Sequence, residues 1–575
     1  MAKKRRSKRQ RVKGAPPAAS SPSASSSTAA DDDDDVADEA PNPEAPKPVA
    51  PKPEPLAAAA AVGEALRAAK ADKKPKAKAP LPEAIVLSPR TAVPVREPAF
   101  WFGFEVAWAK LAAARFIIFI LLAVDAALQV SHAPRYGAGD FNVGQLPFLE
   151  AIGPGRVVFG TAELVLAYLF VLVAFGVATR VLVPICAATY AWLYFGSQLD
   201  SYQHHYLVAL VLVIASFVPW QRPVDDEMRP VDPETGVRTW AVRLLLVQLA
   251  IMYVWAAVSK MAPAWVDGTT LSLQMTGKIG TFIASTVGFK VASVLVIGVE
   301  LALAATVWAR PAWKIAAPLG LLFHLGIMLT GLEIGLFAFL MLGVYALVVP
   351  DAFWVAVMTK LDGAARALAR PSWIAFGVGL AASIVIAKLV RVEDAFMVGI
   401  AVCVVPLAIA VHALVRGRKA PPLAVGLAHV LALALWLFVD RATSTTVDYY
   451  RYWGGSQRRL GSTGAEYAYR RLTEVAPNKE PGHFQLGRLL IKRGAVEDGL
   501  AELHEAQRLE PSIARSFVEE ARVLQKQGKT AEAIEKAKQA TYADPSHADA
   551  RALLDSLTGA KPGPAPAAPP ADDPE

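Results

Sequence analysis

Ionisable residues inside otherwise apolar stretches are the first candidates for chemistry, because a charge in hydrocarbon is costly unless it is used or paired. Lys260 closes the run Tyr253-Val254-Trp255-Ala256-Ala257-Val258-Ser259-Lys260. His204 and His205 open another run after Tyr202-Gln203, and His324 sits inside a third. Arg115 and Asp125 share one run, while Glu300 and Glu333 stand in or at the ends of two more. An amine shielded from water is more easily left uncharged and so able to act as a base. A histidine beside it orients a partner or takes up a proton. Blander uses exist for each. A lysine at a helix end can snorkel to the headgroups, adjacent histidines do not face one ligand, and a lone histidine can bond a carbonyl of the next helix. Arg115 and Asp125 lie ten residues apart, on different sides of one helix, and are not direct partners.

The elements that must position these residues are membrane helices. Of 575 residues, 54% are hydrophobic and 19% charged, with the apolar ones gathered between 111 and 439. That pattern excludes a string of three or four soluble domains and indicates an integral membrane protein. Windows of roughly 20 apolar residues predict about eleven spans, at 111–131, 160–179, 181–196, 204–220, 241–260, 281–308, 313–331, 333–357, 372–390, 396–415 and 421–439. Basic residues in the connections, such as Arg180, Arg222, Arg310, Lys360 and Arg416, predict a cytoplasmic N-terminus. An odd number of spans then places the C-terminal region outside. On this topology the helix beginning at His204 runs inward and the helix ending at Lys260 returns outward. Both residues are therefore expected at the outer face, with His324 in the middle to outer part of its helix. A common pocket there would be lined by Tyr202, Tyr206, Trp255 and Trp265.

Cys186 and Cys403 are the only cysteines, and both lie in apolar runs, which excludes a disulfide framework or a cysteine-based zinc site. The net charge of +8 comes with a basic start, Lys3-Lys4-Arg5-Arg6, which suits an anionic leaflet and needs no nucleic acid. Residues 1–98 carry basic, Ser/Ala, acidic and Pro/Ala/Lys segments that bury too little to fold, so a disordered tail is expected; 561–575 return to Pro/Ala/Asp. Between 463 and 557 the chain is amphipathic and charged. Pro477, Pro511 and Pro545 recur every 34 residues, as do Gly494 and Gly528, and small residues pair as Gly487 with Ala521, Gly499 with Ala533 and Ala506 with Ala540. This resembles a tetratricopeptide (TPR) array of two full repeats with half-repeats at either end, a soluble protein-binding module.

Several segments, taken in order, resemble the HTTM domain, the membrane domain of vitamin K-dependent gamma-carboxylases. They are Leu111 to Arg115 through Asp125, Leu146-Pro147-Phe148-Leu149, Thr179-Arg180-Val181, His204-His205-Tyr206-Leu207, Ala257-Val258-Ser259-Lys260-Met261 with Trp265-Val266-Asp267-Gly268, and Phe323-His324 with Ile334-Gly335-Leu336-Phe337. The resemblance covers roughly residues 100–360. It implies that Lys260 is the base that deprotonates a reduced vitamin K-type quinone, with His204 its helper and His324 a further catalytic residue. Oxygen then adds, a glutamate gamma proton is removed and carbon dioxide is fixed, with no metal. The chain departs from the family where Ser259 precedes Lys260 in place of a paired lysine. It departs again where further spans over 361–440 and the repeats replace a large beta-rich region.

The expected protein is therefore all-α, a polytopic bundle in the cell membrane followed by helical repeats. It would contact lipid and bind a protein or peptide through the repeats. A quinone-dependent glutamyl carboxylase or epoxidase is the first expectation. A non-enzymatic scaffold presenting the repeats is the second.

Overall fold

A helix apolar on every side satisfies its backbone internally and has no polar face to offer water, so it is stable in lipid. The structure, a computed structural model, describes residues 100–559 apart from 139–141, 200–202, 226–229, 276 and 331–336. The expected tails, Tyr202, Glu333 and the Ile334-Gly335-Leu336 segment lie outside the described residues. Among the described residues, six helices are long and apolar enough to cross a membrane. They are Trp108–Arg135, Arg156–Ala174, Trp240–Ser259, Phe289–Thr306, Arg310–Leu329 and Leu423–Ala442. Phe337–Leu347 and Asp351–Leu368 make a seventh only if they count as one span, and they are bent by 92°. His204–Ala215 and Trp373–Leu389 are apolar but shorter, and Val402–Val415 is the apolar part of a 21-residue helix, Ala395–Val415.

The long helices thus fall short of the eleven expected windows, for local reasons. The 281–308 window is two helices, Gly277–Thr286 and Phe289–Thr306, divided at Gly288, whose φ of +81° no helix accommodates. Pro350 divides the 333–357 window. The 204–220 window is helical only as far as Ala215.

In chain order the membrane helices are α1 (Trp108–Gln129), α2 (Arg156–Ala174), α3 (Thr179–Phe195), α4 (Gln203–Ala215) and α5 (Trp240–Ser259). After three short helices, α6 (Pro263–Val266), α7 (Thr269–Gln274) and α8 (Gly277–Thr286), come α9 (Phe289–Thr306), α10 (Trp313–Leu329), α11 (Phe337–Val344) and α12 (Asp351–Leu368). The last three are α13 (Trp373–Leu389), α14 (Ala395–Val415) and α15 (Leu423–Ala442). The core centres on α1, where Leu111 and Ala114 are fully buried. Close crossings use glycine: a Cβ on Gly426 of α15 would fall on the Ala375 carbonyl of α13.

The helix ends sort into two groups, separated by the roughly 33 Å length of α1. At one end Lys110 pairs with Asp351 at 2.9 Å and Arg243 donates to the Trp308 carbonyl. Arg115 reaches the Ala174 and Trp220 carbonyls there, and Arg222 pairs with Asp362. A small antiparallel pair, β1 (Glu105–Ala107) with β2 (Gly236–Arg238), closes this end in the register Val106 to Val237. At the other end Arg156 pairs with Asp394 at 3.0 Å and also bonds Tyr449, while Arg391 pairs with Asp440. Tyr449 belongs to α16 (Thr445–Arg459), whose Ser456 donates to the Pro134 carbonyl just beyond α1. The C-terminal helices therefore dock on this second end.

After α17 (Gly464–Val475), the hairpins α18 (Glu480–Lys492) with α19 (Val496–Leu509) and α20 (Ala514–Lys526) with α21 (Thr530–Ala543) follow, and α22 (Ala548–Thr558) closes the array. Corresponding helices begin at 480, 514 and 548, and at 496 and 530, so the 34-residue period read from sequence is the period of the helices. Gly494 and Gly528 take left-handed φ values of +91° and +77° in the two tight turns. A Cβ on Gly487 would stand 2.9 Å from the Gly499 carbonyl oxygen, so the small residues do set the approach of the paired helices.

Candidate functional site

Lys260 immediately follows α5 and its backbone N–H donates to the Ala256 and Ala257 carbonyls. Side chains on a helix lean toward its N-terminus, and this one does so fully. Its Nζ donates to the Ala256 carbonyl at 3.3 Å and to Glu300 Oε1 at 2.8 Å. The lysine therefore bends back into the bundle and does not snorkel outward. Its positive charge lies on the carbonyl end of α5, where the helix dipole favours a cation. The Lys260 side chain is 22% exposed, whereas that of Glu300, on α9, is 5% exposed. Trp265 of α6 places its ring 5.4 Å from Nζ. The turn carrying Trp265 is held against α9 at Gly268, whose φ is +91° and whose absent Cβ leaves room for the Phe289–Lys290 backbone.

Two turns down the same face of α5, the Tyr253 hydroxyl bonds His324 Nε2 at 2.7 Å and the Tyr345 hydroxyl at 2.8 Å. All three side chains are buried. Gly320, one turn before His324 on α10, leaves the space that the Tyr345 ring fills. The lysine–glutamate pair and the tyrosine–histidine cluster thus follow one another along α5. Proton-bearing groups therefore follow α5 back from its C-terminal end.

The structure redistributes the residues singled out in the sequence. Lys260 and His324 both address α5, but His204 has its ring 6.3 Å from Phe337 and 4.2 Å from His205. His204 is half-buried beside these two rings. His205 lines a cavity, donating to or accepting from the Tyr190 hydroxyl at 2.7 Å. Gln129, Tyr136, Phe159, Glu163, Leu193 and Tyr194 complete it, with about 20 Å³ of free space, roughly one water. Successive residues on a helix point about 100° apart, so the inward rotation of His205 turns His204 away. Of the expected aromatic lining only Trp265 reaches the lysine. Trp255 is 68% and Tyr206 52% exposed, both outward, and Tyr202 lies outside the described residues. What the sequence reading missed is the partnership itself. Glu300 was visible as a carboxylate in an apolar run, but nothing local tied it to Lys260, 40 residues earlier.

The architecture and its buried charges define a polytopic helical membrane protein with an ion pair set into its bundle. More specifically, residues 105–354 match the family model of the HTTM domain, so the chain carries that domain from β1 to the start of α12. Lys260, Glu300, Trp265, Tyr253, His324 and Tyr345 all lie inside the matched range. No curated protein matches the chain.

Proposed function

We propose that this is a membrane-embedded enzyme of the gamma-carboxylase type that takes a reduced quinone from the bilayer at Lys260. The observation that carries this reading is the Lys260–Glu300 pair at the bundle margin, inside the HTTM match. On the same two helices Val258, Trp255 and Leu295 are 44%, 68% and 58% exposed, an apolar surface that an isoprenoid tail can share with lipid. A reduced quinone supplies electrons and an acidic ring hydroxyl, with oxygen and carbon dioxide as co-substrates. Lys260, Glu300 and Trp265 are the residues that would hold its ring. A lysine salt-bridged to a carboxylate arrives with its proton, so the base is the pair acting together. Passing that proton from Nζ to Glu300 Oε1 in the reacting state leaves Lys260 as neutral amine. Lys260 can then accept the hydroxyl proton and hold the resulting charge. Tyr253, His324 and Tyr345 position α5 and α10 around it, and His204 is the proposed helper.

We place the Lys110 end of the bundle in the cytoplasm, since Arg222, Arg238, Arg310, Lys360, Arg370 and Arg416 gather in its connections. Counting α3, α4, α11, α13 and α14 as crossings beside the six long helices, we assign eleven passes, with Lys260 and the repeats outside in a cell membrane. The 34-residue hairpins are assigned as TPR repeats that hold the polypeptide substrate or a protein partner. The test is incubation of purified protein with reduced naphthoquinone, oxygen and labelled bicarbonate. Epoxide or fixed label that disappears in Lys260→Ala supports the enzyme. A second reading, a scaffold that presents the repeats without catalysis, draws on the rigid docking through Arg156, Arg391 and Asp440. Unchanged cellular function in Lys260→Ala would select it.

A further inference from the structure

Glu300 is buried, with 4% of its surface exposed, yet it uses only one carboxylate oxygen. Oε1 takes the Lys260 proton donor, whereas Oε2 is shielded from solvent and has no hydrogen-bond partner among the described residues. The Trp265 indole N–H, on the ring that lies 5.4 Å from the same ammonium, is likewise shielded and without a partner among the described residues. Buried polar atoms are nearly always satisfied, and each orphan costs free energy. Here a strong acceptor and a donor stand idle around one cation, at a position bordered by lipid-facing side chains. Their complement is a hydroxyl group, which donates through its hydrogen and accepts through its oxygen. A quinone carbonyl or an ether oxygen offers only acceptors and would leave Oε2 facing another oxygen.

Resting on the quinol reading above, we propose that Glu300 is the specificity-determining residue of the site: Oε2 accepts the ring hydroxyl of a reduced, hydroxylated aromatic headgroup. Trp265 Nε1 is the donor available to the ligand's oxygen. The site thereby admits the reduced ring and rejects the oxidised or O-methylated one. A hydrogen bond to a charged acceptor sets the discrimination at roughly tenfold or more.

The experiment uses the full chain in lipid nanodiscs, with binding of tritiated 4-methoxy-1-naphthol competed by unlabelled naphthol or by 1,4-dimethoxynaphthalene. The naphthol is expected to compete about tenfold better than the diether. In Glu300→Gln, the amide oxygen keeps the Lys260 bond and the amide N–H faces the ligand, so the preference is expected to vanish or invert. The double variant Lys260→Met/Glu300→Leu, which removes the pair without stranding a charge, should also lose the preference. Equal competition by both compounds in the natural protein, or a preference retained in either variant, overturns the assignment of Glu300 while leaving a quinol site standing. Failure of the natural protein to bind the naphthol at all overturns the quinol reading itself.

Discussion

Removing one member of the Lys260–Glu300 pair should cost far more than removing both. At 2.8 Å, and with an effective dielectric of about 20, the gross attraction is about 6 kcal/mol. Most of that offsets the desolvation of the two ions, so the pair contributes little net stability. Glu300→Leu leaves the ammonium with the Ala256 carbonyl and the Trp265 ring, and because Lys260 keeps some exposure the expected loss is about 3 kcal/mol. Lys260→Met strands the more deeply buried carboxylate and should cost about 3 to 5 kcal/mol. The double variant replaces both by apolar groups and should lie within about 1 to 2 kcal/mol of the natural protein. The coupling energy should thus be at least about 4 kcal/mol, the sum of the single losses less that of the double. Equilibrium unfolding in mixed micelles, followed by far-ultraviolet circular dichroism, measures each variant. Additive losses would show that the two residues do not act as one unit and would remove the physical basis of the proposed base.

Tyr253→Phe deletes the hydroxyl shared by His324 and Tyr345 and should destabilise the bundle by about 1 to 3 kcal/mol, read in the same unfolding assay. Gly426→Val drives a side chain into the Ala375 carbonyl and should prevent α13 and α15 from crossing; the expected result is loss of monodisperse protein in size-exclusion chromatography. In the repeats, burial raises the Glu520 carboxyl, but hydrogen bonds from Lys536, Gln507 and His504 outweigh it and hold the group below its ordinary value. Its contribution is therefore complete above the unfolded carboxyl range, about pH 4.3, and is lost as pH falls through the lower folded value. Hydrogen exchange in 514–526 of the full chain should accelerate on acidification, and Glu520→Gln should make that region less dependent on pH.

Much of this fold is legible from period and composition, because a single helix or one helical hairpin generates each signal. The 34-residue spacing of Pro477, Pro511 and Pro545 became the spacing of the hairpins, since turn and packing residues act within one repeat. Lys260 was legible as a basic residue closing an apolar run. Its direction was not: snorkelling out and bending back differ only in what lies on the neighbouring helix. Glu300 supplies that, and it comes from α9. The choice between His204 and His205 depends on the rotation of α4 about its own axis, which adjacent identical residues cannot specify. The length of the 281–308 window showed that it could tilt or break, but hydropathy is blind to a backbone angle and could not place the break at Gly288.

The helix that leads into the repeats is bolted to the bundle, with Arg156 gripping both Asp394 and Tyr449 and Arg391 tying Asp440 to the Val475 carbonyl. A cargo grasped by the array would consequently stand at a constant height above the lipid, as on a fixed crane and not on a leash. Reach would then be set by the number of hairpins, and adding or deleting a 34-residue unit would change which segment of the cargo hangs over the mouth of the bundle.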